Sequence, residues 1–180
     1  MAHLGSPSRL YWYGSADGRY REILKWPKDS PKNGSGVALY ASAGASSRAM
    51  VGGRNPRHRI EVFTGLDPEC DDLAPSLGSL AKYPADFDTA LDHFHTIPSD
   101  EPIIPRTDMH AFLLTDNPLE DILPTLNLPD GVHVDFLRAI PIFASELEYK
   151  KKNGAEGLSR LWKDSGTPFW DPFRSPAVKG

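Results

Sequence analysis

His93 and His95, separated by one residue, are the closest approach to a metal site in this chain. On a strand, alternate side chains share a face, so both imidazoles would point the same way. Zinc sites take three or four nitrogen or sulfur ligands. No third ligand follows at a recognisable spacing, and no H-E-x-x-H occurs. If residues 86–94 form a helix, the two rings diverge and become a solvated helix end. His58, His110 and His133 lie on strand-like runs near Glu61, Asp108 and Asp135. Ser46 or Ser145 would complete a hydrolase triad on paper, but triads are defined by geometry, and no G-x-S-x-G elbow is present. Phosphate-binding glycine loops are absent as well. Cys70, the one cysteine, sits among Asp67, Glu69, Asp71 and Asp72. Those carboxylates raise a thiol pKa and disfavour a reactive thiolate. The four carboxylates do not follow the calcium-loop pattern. They suit the positive end of a helix, as Lys150–Lys152 suit a negative one. No catalytic residue, metal ligand or cofactor is assigned.

Aromatic residues carry more information. Trp12, Trp26, Trp162 and Trp170 are many for 180 residues. Tryptophan dominates cores and interface hot spots alike. Phe169, Trp170 and Phe173 crowd into a proline-rich tail, residues 166–180, that must pack on the domain or on a partner. The candidate partner-binding residues are therefore Trp170 and Phe169, with Asp71 and Asp72 as an acidic alternative.

These residues need a scaffold. The stretch Val132–Lys163 is its centre: a β-branched and aromatic run to Phe143, then a helix. Pro141 cannot donate to a ladder, so the strand ends or meets an edge there. Ser145 and Glu148 read as a capping box starting the helix at Glu146, whose charge answers the dipole. Asn153-Gly154 reads as a helix end, with a second short helix over Leu158, Leu161 and Trp162. Upstream, 10–13 and 19–26 suggest a hairpin about Gly14–Gly18, with a short helix as the competing reading for the second run. Residues 37–41, 57–64 and 109–115 read as strands, and 42–53 as an irregular connection. On residues 57–64, Ile60 and Val62 share one face and Arg59 and Glu61 the other. Asp67 caps a helix beginning at Pro68 and carrying Leu73, Leu77 and Leu80. Tyr83-Pro84 breaks it, and 86–94 forms a second helix presenting Phe87, Leu91 and Phe94. Residues 1–9 fray. Strands and helices are not regularly alternated, so the fold class is α+β: a mostly antiparallel sheet packed with helices in a single compact domain over 1–180.

Composition sets the remaining bounds. With 39% hydrophobic and 24% charged residues, the chain can bury a core. A net charge of −4 offers no basic face to nucleic acid. No run approaches the ~18 apolar residues of a membrane span, and no secretory leader is evident. A single cysteine fits a reducing, cytoplasmic setting.

The second half resembles the suppressor of fused domain family. The residues that carry this are Arg59-Ile60-Glu61-Val62, Met109–Leu114, Leu126–Leu137, Ile140–Tyr149 and Asn153–Leu158, with a weaker echo at Tyr40–Ser46, where the family has a strand and a Gly-x-Ser turn. The clearest match spans about 37–164. The resemblance implies a compact α+β domain that binds proteins without catalysis, and in its short single-domain form a bacterial immunity protein neutralising a toxin. The expected partner is then another protein, a cognate toxin. The alternatives are a small metal- or histidine-dependent hydrolase, and a subunit of an obligate complex whose aromatic tail docks on a neighbour.

Overall fold

The structure is a computed structural model that describes residues 4–14, 20–53, 55 and 57–178. Its strands are β1 (Arg9–Gly14), β2 (Tyr20–Trp26), β3 (Ala38–Ala43), β4 (His58–Leu66), β5 (Thr96–Pro98), β6 (Met109–Thr115), β7 (Leu126–Asn127) and β8 (His133–Phe143). Its helices are α1 (Ala74–Asp86) and α2 (Ala144–Ser165). One sheet takes all eight strands in the order β1-β2-β3-β4-β8-β6-β5, with β7 pairing β8 off this path. Every pairing is antiparallel except the central β4–β8 pair. This is a single α+β domain, as the unalternated order of elements leads one to expect. The β1–β2 hairpin forms, which rules out a helix for the second run; Ser15–Arg19 of its turn lie outside the described residues.

Period-2 alternation divides the sheet into two faces. One face carries Ile23, Tyr40, Ile60, Val62, Phe112, Leu114, Leu137 and Ala139, covered by α1 through Leu77 and Leu80 and by Leu73 just before it. The opposite face is covered in two separate patches. Leu24, Trp26, Leu39, Phe63 and Phe136 pack beneath Leu4 and Leu123. Ala111, Leu113, Ile140 and Ile142 pack beneath Leu158 and Trp162 of α2. Between these patches, on the same face of β8, stands Arg138.

Several local expectations change. Leu4 is buried and Gly5 O accepts the Trp26 Nε1–H, so residues 4 and 5 are packed and do not fray. Asp67 caps no helix. Its peptide bond to Pro68 is cis, a 3-10 turn spans Asp71–Leu73, and α1 starts at Ala74 with Pro75 in its first turn. α1 passes through Pro84 to Asp86. The expected helix over 86–94 is absent: Asp88 and Phe94 hold positive φ, which L-residues adopt singly in turns and not within helices. Phe87 and Phe94 are exposed there. At Pro141 the strand does not end, but its pairing with β4 stops at Arg138, leaving Pro141 on an unpaired edge of β8. α2 breaks at Gly154, whose φ of 76° and ψ of 170° only glycine adopts without strain, so two helical segments abut there.

Candidate functional site

Glu146 organises the end of the chain. It is fully buried, and its carboxylate accepts two hydrogen bonds from the Arg174 guanidinium, both 2.7 Å. It also accepts from Trp162 Nε1–H and from the backbone N–H of Ala177 and Phe143. The last bond corrects the expected cap. Phe143 is the N-cap and Glu146 its reciprocal partner three residues on, while Ser145 Oγ donates to Val178 O and Glu148 pairs with Lys151. Burial alone raises the Glu146 pKa; Arg174 and the other donors outweigh it and hold the carboxyl below its usual range. Arg174 also donates to Pro141 O, filling the unpaired edge of β8, and lies over the Phe143 and Trp162 rings. The tail therefore packs on its own domain.

This anchoring places Phe169 and Trp170. Phe169 stacks on Trp162 with ring centroids 5.7 Å apart and meets the Trp170 edge at 5.2 Å. Trp170 O accepts the Asp67 N–H at 3.0 Å, tying the tail to the end of β4. The Trp170 side chain stays 43% exposed, and Phe173 more so. The two aromatics overhang the gap between the two core patches. A cavity of about 190 Å³ on one side is lined by Val37, Phe63, Leu119 and Ile140. A second, of about 380 Å³, is lined by Thr115, Trp162, Lys163 and Thr167. Both also border on Arg138, Phe169 and Trp170.

The other expected partner residues divide. Asp71 belongs to the framework: Lys25 Nζ lies 2.6 Å from it, and Tyr40 O–H donates to it at 2.9 Å. Burial opposes its charge, but Lys25 and the tyrosine hydroxyls bring its pKa down to about 2. Asp72 remains at the surface, 3.9 Å from exposed Arg106. Neither borders the aromatic groove. Cys70 is buried, and burial first, then the neighbouring carboxylates, push its thiol pKa up.

The histidines do converge on one cleft. Its volume is about 720 Å³, and it is lined by His58, His93 and His95 together with Asp88, Asp92 and Asp135. His58 Nδ1 lies 3.4 Å from Asp135 within it, and His93 Nδ1 lies 2.6 Å from Asp116, which is outside the lining. Among the described residues no three His, Cys, Asp or Glu side chains come close enough to hold a metal ion. His110 and His133 lie outside the cleft lining, as do Ser46 and Ser145.

Glu61 escaped the sequence reading. Alternation placed it opposite Ile60 and Val62, which is correct, but its face is not solvent: it is 3% exposed. Its carboxylate accepts from Ser42 and Ser46 hydroxyls and from the N–H groups of Gly44, Ala45 and Ser46. The Gly44-Ala45-Ser46 turn was the available signal, since Gly44 at φ 104° aims successive amides at one point.

These features define an α+β domain whose buried charges serve the framework and whose aromatic groove faces outward. A model of the suppressor of fused protein family (SUFU) matches residues 20–175. The chain belongs to the suppressor of fused family. Its fold is similar to that of a suppressor of fused homolog from Neisseria gonorrhoeae (TM-score 0.66, 17% identity, 96% of this chain and 89% of that one). It is also similar to a chain of the Sufu–Fu complex (0.65, 18%, 94% and 85%). Drosophila Suppressor of Fused aligns at 0.58 with 19% identity over 84% of this chain, which corresponds to 41% of the Drosophila chain. No curated protein matches the sequence. Among the described residues no helix is long and apolar enough to cross a membrane.

Proposed function

We propose that this chain is a non-enzymatic protein-binding domain, and specifically a bacterial immunity protein that neutralises a toxin. The carrying observation is the groove under Phe169 and Trp170: an exposed tryptophan held in place by a tail whose own anchor is buried. Rigid aromatic side chains beside cavities are the usual anchors of protein interfaces. Family membership supports the protein-binding part of this reading, since Sufu forms a complex with Fu. The absence of nucleic-acid electrostatics leaves protein as the natural partner class. The test is co-purification with the protein encoded by the neighbouring gene. A stable complex burying roughly 1,200–2,000 Å² is expected, with rescue of cells from that neighbour's toxicity. Repeated recovery without a partner, and no rescue, would overturn the reading.

The histidine cleft supports a second reading, a histidine-dependent hydrolase. Three imidazoles and three carboxylates share it, and among the described residues its lining contains Thr89 but no Ser, Cys or Lys. Zinc analysis of natively purified protein, with ester and peptide substrates, decides between the two. Stoichiometric zinc or turnover lost on His58→Ala would favour the enzyme.

A further inference from the structure

Arg138 combines a fixed position with an unpaired guanidinium edge at the wall of two cavities, whereas the unpaired nitrogens of Arg21 are buried. The Arg138 Nε–H donates to Thr115 Oγ1 at 3.0 Å and its plane lies 5.1 Å over the Phe169 ring. Its two terminal nitrogens make no hydrogen bond among the described residues. The contrast with Arg174 is direct, since that guanidinium is spent on Glu146 and two backbone carbonyls. Arg138 is also fixed. It sits on the central strand β8, in register with Phe63 of β4 and Thr115 of β6. A guanidinium held at one edge presents its other edge as a preformed fork for a carboxylate.

Charge around it favours an anion. No Asp or Glu lines either adjoining cavity, and Lys163 lines the larger one. This is unusual placement in a chain of net charge −4. Among the described residues Asp116 is the carboxylate that acts on Arg138 electrostatically, and one of its oxygens lies 2.6 Å from His93 Nδ1. The walls beyond the arginine are apolar on one side (Val37, Phe63, Leu119) and aromatic above. The cavities hold about 190 and 380 Å³, below and at the low end of the ~300–1,000 Å³ of small-molecule pockets. Two short cavities on either side of one arginine suit an extended chain, which places consecutive side chains apart along its length.

We propose that this groove docks a polypeptide partner, taking an aspartate or glutamate side chain on the free edge of Arg138 and a neighbouring apolar side chain under Trp170. The proposal rests on the protein-binding reading and names the chemistry of the partner segment. It is tested with the full-length chain, isotopically labelled, titrated with acetylated and amidated Gly-Leu-Glu-Phe-Gly and its Gln analogue. The glutamate peptide is expected to shift the Trp170 indole and Arg138 Nε resonances saturably, binding about tenfold more tightly than the glutamine peptide. Arg138→Gln should erase that preference at unchanged Tm, and Arg138→Lys should keep the charge dependence with weaker binding. Equal affinities, shifts confined to other residues, or no response at millimolar peptide would overturn it. So would phenylpropionate binding as tightly as the peptide, which would make the groove a small-carboxylate site. A neighbour-encoded partner that binds wild type and Arg138→Gln equally would overturn this inference and leave the protein-binding reading standing. The peptide result stands on its own if no such partner exists.

Discussion

At the scale of single residues, the buried Glu146–Arg174 pair is the most exposed to test. Removing one partner of a buried pair leaves the other uncompensated, at about 3–5 kcal/mol. Arg174→Met should lower stability by that amount in denaturant titrations, with Trp162 fluorescence as one probe. The pH dependence follows from the depressed Glu146 pKa. Its contribution is full above the ordinary glutamate value of about 4.3 and is lost as pH falls through the lower folded value. The gap between wild type and Arg174→Met should therefore narrow in acid, and a constant gap from pH 7 to 2 would refute the assignment. Asp71 makes the same kind of claim in a milder setting. With a folded pKa of about 2, its contribution persists well into acid. Lys25→Met should move its carboxyl titration upward, as followed by side-chain NMR. Little of this was legible in the sequence. Ser145 and Glu148 fit a cap by type and spacing, and Glu146 looked like a dipole partner, because local patterns cannot register a counter-charge 28 residues away. Glu61 was hidden for the same reason, since alternation names a face without saying what covers it.

At the scale of elements, the sequence was most readable where hydrophobic periodicity is strong. The runs of β4, β6 and β8 have the right positions, and Gly154 marks the division of α2. Gly154→Ala should cost about 1–3 kcal/mol through backbone strain. No atom lies within 4 Å of the added Cβ, so crowding contributes nothing. Gly78→Ala acts oppositely: the helix would accept alanine, but its Cβ would stand 2.8 Å from the Tyr13 ring. Thermal denaturation should show both variants destabilised, and Tyr13→Ala should relieve only the Gly78 variant. Prolines misled where context overrides them. Pro84 was read as a break, yet α1 continues two residues beyond it. Conversely, 86–94 has helical spacing, but Asp88 and Phe94 take left-handed backbone. Composition marks 166–180 as an aromatic, proline-rich segment, but the contact of Arg174 with Glu146 has no signal in it.

At the scale of the whole molecule, two long-range closures hold the sheet together. One is the parallel pairing of β4 with β8, in which His58 meets His133 at a separation of 75 residues in sequence. The other is the tail. Deleting residues 167–180 removes Arg174 and strands Glu146, so it should destabilise at least as much as Arg174→Met in the same denaturant titration. An unchanged midpoint would count against the clamp. The three-histidine cleft and the aromatic groove are set by this topology, and neither could be assembled from sequence spacing. The tail closure also has a bearing on biosynthesis. Domains commonly begin to fold while the ribosome is still extending the chain. Here a nascent polypeptide complete to Ser165 holds the strands and helices described, but its Glu146 carboxylate has yet to meet Arg174. Until Arg174 emerges, that carboxylate must stay hydrated or take up a proton, and α2 rests on β6 and β8 through Leu158 and Trp162 without its ion pair. The hold of α2 on the sheet is therefore completed only once Arg174 has been translated, after every strand and helix described.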